Sequence, residues 1–119
     1  MKVAPVHFGI DVIIPQIVEL GLRRAPFEAC GIVVPDLEVP AANWVKELQN
    51  RSSDPLNSYE IDTATIKTLV ENAENWSDIL VWHTHPRGGI GPSKGDVESK
   101  AKGLRYLVVA LPRGEAVLF

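Results

Sequence analysis

The sequence predicts a single α/β domain over residues 1–119, built as a mixed sheet flanked by helices. Segments with helical periodicity alternate with short apolar runs that are typical of buried strands. Their order is helix, two strands, helix, strand, helix, two strands. The chain has 119 residues, of which 45% are hydrophobic, so it is long enough and apolar enough for one compact core.

The first helix is predicted at residues 12–24, with Asp11 as its N-cap. Pro15 is compatible with this helix because we place it in the first turn, where its missing N–H is not needed. Pro26 ends the helix, and the apolar run at residues 30–34 is predicted to be a buried strand.

The later elements follow from the same signals. A second strand at residues 44–48 follows a proline-containing turn and is expected to return antiparallel to the first. Asp62 is predicted to cap a second helix. The apolar side chains of that helix recur at helical spacing, at Ile66, Leu69, Val70 and Ala73. The remaining strand, helix and two strands are predicted at residues 78–82, 93–102, 104–111 and 115–119.

Composition and charge exclude several classes of protein. The formal net charge of −3 provides no basic surface for nucleic acid. No apolar run is long enough to span a bilayer, and the N-terminus lacks the features of a signal peptide. The single cysteine, Cys30, cannot form an internal disulfide, which suits a reducing compartment. We therefore predict a cytoplasmic protein that binds neither nucleic acid nor membranes.

Two histidines lie at the end of the most apolar predicted strand. Side chains alternate between the faces of a strand, so His83 and His85 share one face and Thr84 points away. Pro86 ends the strand because it has no N–H for the ladder. A glycine-rich loop then returns Asp96 to the same place. A catalytic zinc takes three protein ligands, and His83, His85 and Asp96 would supply that set.

Simpler interpretations of these residues remain open. Ser93 and Asp96 also match a capping box at the start of a helix. A His-x-His pair can likewise consist of ordinary strand residues with satisfied rings. The metal interpretation is favoured because the chain has only three histidines and two of them meet Ser93 and Asp96 at one strand end.

Glu28 stands out among the acidic residues because it does not lie in a solvated segment. It lies between Phe27 and the buried strand that begins at Cys30. A carboxylate that enters a core must be paired, hydrogen-bonded or protonated. Hydrolysis at a zinc site also needs a general base that is not a ligand, and Glu28 is the candidate. The alternative is a salt bridge from Glu28 to Arg23 or Arg24.

Together these residues resemble the motif of the JAMM, or MPN-plus, metalloproteases. That motif is an upstream Glu, His-x-His, seven residues, Ser, two residues and Asp, and the chain has Glu28, His83, His85, Ser93 and Asp96 in that order. The resemblance covers about residues 6–111. It implies the JAMM/MPN fold, which is similar to that of cytidine deaminases. A zinc deaminase would need a Cys-x-x-Cys pair, which a chain with one cysteine cannot provide.

The resemblance also implies a role for each motif residue. His83, His85 and Asp96 would hold one Zn²⁺ ion. Glu28 would take a proton from the attacking water and deliver one to the leaving amine, and Ser93 would stabilise the oxyanion. The implied function is zinc-dependent hydrolysis of a peptide or isopeptide bond in a protein substrate.

The substrate is predicted from the branch of the family that the chain resembles. The short glycine-rich loop and the Pro-x-Glu-x-Cys-Gly segment are similar to small prokaryotic and phage members, including the JAMM domains of phage tail assembly proteins. This implies a phage tail protein or a ubiquitin-like protein as partner, and a location in the cytoplasm or in a phage tail. The alternative function is a structural tail component that holds zinc with little or no turnover. We expect the substrate to add as an extended strand to the sheet edge beside the zinc.

Overall fold

The computed structural model describes residues 6–72 and 79–119, and the fold in this part of the chain is built on one five-stranded sheet. The strands are β1 Cys30–Val33, β2 Val45–Leu48, β3 Leu80–His85, β4 Arg105–Ala110 and β5 Ala116–Leu118. The helices are α1 Ile10–Arg24, α2 Thr63–Asn72 and α3 Lys94–Glu98, with 3₁₀ turns at Val6–Gly9 and Ala41–Asn43. The predicted mixed α/β architecture is confirmed.

The histidine strand β3 lies at the centre of the sheet, whose order is β2-β1-β3-β4-β5. β1 runs antiparallel to β3, with Cys30 opposite His83, and β4 runs parallel to β3, with Ala110 opposite His85. The start of β1 and the end of β3 therefore lie at the same end of the sheet. β2 returns antiparallel to β1, as predicted.

This strand order contradicts one expectation. Neighbouring strands are about 4.8 Å apart, so each free edge of the sheet is about 10 Å from β3. The edges of the sheet are therefore not directly beside the histidines, as the expected strand addition required.

Helix α1 packs on one face of the sheet. Ile13 and Ile17 are fully buried in a cluster with Leu80, Trp82 and Leu107, residues that alternate along β3 and β4. Trp44 belongs to the same cluster, so the two tryptophans of the described residues are core side chains.

The α2 side of the sheet has a second, smaller cluster. Ile66 of α2 packs there with Val81, Tyr106 and the buried Cys30. Asp62 caps α2 as predicted, since its Oδ1 accepts the N–H of Ala64 at 3.2 Å. Three predicted positions, the side chain of Val70 and the residues Ala73 and Asp78, lie outside the described residues.

Helix α1 begins two residues earlier than predicted. The 3₁₀ turn Val6–Gly9 leads directly into it, so Gly9 takes the N-cap position and Asp11 lies in the first turn. The prediction of Asp11 as the cap is wrong, although its charge still favours the helix dipole. Pro15 lies in the second turn rather than the first, where it removes one helical hydrogen bond.

Helix α3 is shorter than predicted and ends at Glu98 instead of near Lys102. The backbone N–H of Ala101 donates to the hydroxyl of Tyr106 at 2.7 Å, not to a helical carbonyl. β3, in contrast, ends later than predicted, since it extends through His85 and holds both histidines within the strand.

No described helix is long and apolar enough to cross a membrane.

Candidate metal centre

Three donor atoms converge at the C-terminal end of β3. Nε2 of His83 lies 3.2 Å from Nε2 of His85, and Oδ2 of Asp96 lies 3.0 Å from each of them. A tetrahedral zinc with bonds of about 2.1 Å holds neighbouring ligand atoms about 3.4 Å apart. The three atoms therefore occupy a triangle close to one face of a zinc tetrahedron.

The orientation of His85 shows why a cation fits between these atoms. Its Nδ1 lies 3.0 Å from the carbonyl oxygen of Gly89, which can only accept a hydrogen bond. Nδ1 therefore carries the proton, and Nε2 of the neutral ring directs a lone pair toward Oδ2 of Asp96. Two lone pairs at 3.0 Å repel each other unless a cation or a shared proton lies between them. A carbonyl on the remote nitrogen is also the usual outer contact of a metal-bound histidine.

His83 is held by aromatic packing instead. Its ring stacks on Tyr59, with centroids 4.2 Å apart, and meets Phe119 edge-on at 6.3 Å. The side chain is fully buried, and its Nδ1 has no hydrogen-bond partner among the described residues. Burial lowers the pKa of His83, while the hydrogen bond and charge of Asp96 act in the opposite direction. A low pKa keeps the ring neutral, which is the form that binds metals.

The start of α3 brings Asp96 to the histidines. Oγ of Ser93 accepts the N–H of Asp96 at 3.1 Å, and Oδ2 of Asp96 accepts the N–H of Ser93 at 2.9 Å. The capping-box interpretation is therefore correct, and the box is also what aims the carboxylate at His83 and His85. Burial alone would raise the pKa of Asp96, but the hydrogen bonds from His83 and Ser93 hold it well below its usual range.

Glu28 faces the same point from the start of β1. Its N–H donates to the carbonyl of Pro55 at 2.8 Å, and its carbonyl accepts the side-chain amide of Asn50 at 2.9 Å. The side chain is only 6% exposed, and its Oε1 has no hydrogen-bond partner in the described part of the chain. The proposed salt bridge to Arg23 or Arg24 is wrong, because those arginines pair with Glu19 and Glu47.

The surroundings of Glu28 change the acidity of its carboxyl. Burial, followed by the charges of Asp96 and Asp54, raises its pKa to about 8. One of its oxygens and one ring nitrogen from each of His83 and His85 lie within 4.8 Å of one another. The two histidines thus have two candidate carboxylate partners, of which Asp96 is the closer.

Residues to which the sequence assigned no role complete the surroundings of the centre. Tyr59 stacks on His83, Asn50 bridges the carbonyls of Glu28 and Ser58, and Thr84 bonds the chain next to Glu28. The chain positions of Asn50 and Tyr59 after β2 gave no local signal for these contacts. The third histidine, His7, is exposed, and the exposed Lys94 beside the metal loop pairs with Glu98.

The fold and the donor cluster are those of a JAB/MPN-type domain with a candidate metal centre. Residues 12–118 match the family described as prokaryotic homologs of the JAB domain, and the chain belongs to this family. A protein from Desulfitobacterium hafniense, whose structure was determined in solution, superposes with a TM-score of 0.62 and 20% identity. The superposition covers 88% of this chain and 75% of that chain, and it shows a common fold. No curated protein matches the chain.

Proposed function

We propose that the protein is a zinc-dependent peptidase or isopeptidase that hydrolyses an amide bond in a protein substrate. The observation that carries this proposal is the convergence of donor atoms of His83, His85 and Asp96 within 3.2 Å of one another. Beside them lies the buried carboxyl of Glu28, whose Oε1 has no hydrogen-bond partner among the described residues. A purely structural metal site is usually closed by four protein ligands, whereas three ligands with an adjacent base are typical of hydrolytic centres.

His83, His85 and Asp96 would hold the zinc ion. When bound, zinc supplies a Lewis acid that polarises a carbonyl and lowers the pKa of water from about 16 to about 7. Glu28 would accept the proton of the attacking water and deliver it to the leaving amine. Burial of the Glu28 carboxyl favours this second step, because a buried carboxyl is more stable with its proton bound.

Ser93 would donate a hydrogen bond to the oxyanion that develops on the attacked carbonyl. Its hydroxyl oxygen already accepts the N–H of Asp96, but a hydroxyl has two acceptor sites and one donor hydrogen. The hydrogen is therefore available for the substrate while the oxygen caps α3. The capping role and the proposed catalytic role are compatible.

The surroundings of Glu28 favour a polypeptide substrate. A cavity of about 540 Å³ opens beside Glu28 toward β2, and Phe27, Leu48 and Pro55 form the apolar part of its wall. The polar part includes Arg24 and Glu47, whose opposite charges are paired with each other. A cavity with both apolar and polar walls next to the proposed proton donor suits a side chain of a peptide. Among polypeptides, we propose a phage tail protein or a ubiquitin-like protein of the same cell.

The test is to incubate the zinc-loaded chain with tail proteins and ubiquitin-like proteins encoded in the same genome, and to identify fragments by mass spectrometry. Cleavage that a chelator abolishes, and that the His85→Ala variant lacks, supports the proposal. Stoichiometric zinc without cleavage of any of these proteins would instead favour the structural, zinc-holding component. Rapid cleavage of unstructured peptides would contradict the proposed selection of a phage tail protein or a ubiquitin-like protein.

A further inference from the structure

Thr84 lies between the two histidines of β3 and has a specific partner for its buried hydroxyl. The side chain is fully buried, and a buried hydroxyl is unfavourable unless it is hydrogen-bonded. Its Oγ1 accepts the backbone N–H of Ala29 at 2.9 Å. Ala29 directly follows Glu28, so the hydroxyl links the histidine strand to the segment that carries the proposed base.

This hydrogen bond takes the place of a bond of the sheet ladder. β1 and β3 pair Cys30 with His83, so Ala29 and Thr84 are the next facing pair. The N–H of Thr84 donates to the carbonyl of Ala29 at 2.9 Å, as in an antiparallel ladder. The N–H of Ala29, however, donates to the side chain of Thr84 rather than to its carbonyl. The side chain of Thr84 therefore fixes the point at which the chain enters the sheet, directly after Glu28.

The backbone of Glu28 is fixed on its other side by the loop that follows β2. Its N–H and carbonyl bond to Pro55 and to the side chain of Asn50, at 2.8 and 2.9 Å. With Ala29 bonded twice to Thr84, every polar backbone group of these two consecutive residues has a partner. Little backbone freedom remains at Glu28, whose carboxylate lies within 4.8 Å of the histidine nitrogens.

We propose that Thr84 is a positioning residue, whose hydroxyl holds Ala29 and thereby places the carboxylate of Glu28 beside the donor atoms of His83 and His85. This inference rests on the proposed function, in which Glu28 is the base. The methyl group of Thr84 has a separate packing role, because a Cβ added to Gly21 of α1 would lie 2.8 Å from its Cγ2. Thr84→Val keeps the shape and removes the hydroxyl, whereas Thr84→Ser keeps the hydroxyl and removes the methyl.

The test uses the full chain loaded with Co²⁺, whose visible absorption spectrum responds to hydrogen bonding around the bound ion. Wild type, Thr84→Val, Thr84→Ser and Glu28→Gln should each bind about one Co²⁺ per chain, because the three proposed ligands are intact. The spectrum of Thr84→Val should move toward that of Glu28→Gln, while Thr84→Ser keeps the wild-type spectrum. Amide hydrogen exchange at Ala29 should accelerate at least about tenfold in Thr84→Val and less than about twofold in Thr84→Ser.

Suppose that the spectrum of Glu28→Gln differs from that of wild type. A Thr84→Val protein with the wild-type spectrum then overturns the inference, although the proposed function stays intact. If Thr84→Val does not fold, Thr84→Ser decides the question. If the Thr84→Ser spectrum resembles that of Glu28→Gln, packing by the methyl group positions the base, and the inference is overturned. If the Thr84→Ser protein has the wild-type spectrum, the inference is supported. Identical spectra for wild type and Glu28→Gln overturn both the inference and the role of Glu28 as base. A wild-type chain that binds no Co²⁺ contradicts the proposed function itself.

Discussion

Gly31→Ala should be among the most destabilising single changes in this domain. A Cβ at Gly31 would lie 2.0 Å from the backbone oxygen of Lys46 and 2.8 Å from the ring of Trp82. An ordinary carbon–oxygen contact needs more than about 3.3 Å, so β2 must move away by about 1 Å or more. Such a movement weakens the ladder between β1 and β2, in which each hydrogen bond contributes about 1 kcal/mol. The added methyl group also displaces a fully buried tryptophan, at a further cost of about 1–3 kcal/mol.

The expected loss is therefore about 3–5 kcal/mol in the free energy of unfolding, which is a large part of the stability of a small domain. Urea denaturation of the metal-free protein, followed by circular dichroism, measures it. Gly95→Ala is the matched control, because its Cβ would lie 3.9 Å from the nearest atom, inside α3, where alanine is favoured by up to about 1 kcal/mol. A Gly31→Ala protein within about 1 kcal/mol of wild type would refute the reasoning from strand contact.

The remaining predictions concern the metal centre and its proton chemistry. His85→Ala should abolish zinc binding, whereas His7→Ala should retain about one zinc per chain, as measured by elemental analysis. Glu28→Gln should keep the metal and lose hydrolysis, and release of zinc would show that Glu28 is a ligand. Ser93→Ala should keep the metal and lose about 10²-fold or more in kcat. In the metal-free protein, Glu28 retains its proton up to about pH 8, whereas the unfolded chain releases it near 4.5. The native state therefore binds more protons than the unfolded state between these two pH values. The free energy of unfolding of the wild-type protein should fall as pH rises, by at most about 1.4 kcal/mol per pH unit. Glu28→Gln should lack this contribution.

Much of the site was predictable because its signals are local in the sequence. Alternation along β3 places His83 and His85 on one face, and the capping box at Ser93 and Asp96 is a four-residue pattern. The cap of α2 at Asp62 is equally local. Such features depend on backbone geometry over one turn or one strand, and the chain around them specifies that geometry.

Several errors arise where a residue in another element decides the outcome. α3 ends early where the N–H of Ala101 bonds to Tyr106 in the next strand. Arg24 pairs with Glu47 of β2 rather than with Glu28. None of these partners can be identified from periodicity or spacing alone.

The sequence by itself determined the type of fold, the order of its elements and the five candidate site residues, because each of these depends on pattern and on neighbours in the chain. Only the tertiary structure decided that β3 is central, that Glu28 is buried beside the histidines, and that Thr84 bonds to Ala29. The physical reason is that strand order, burial and hydrogen-bond partners are set by contacts between residues tens of positions apart. Ala29 and Thr84 are 55 residues apart in the chain, and only the folded sheet brings them within 2.9 Å.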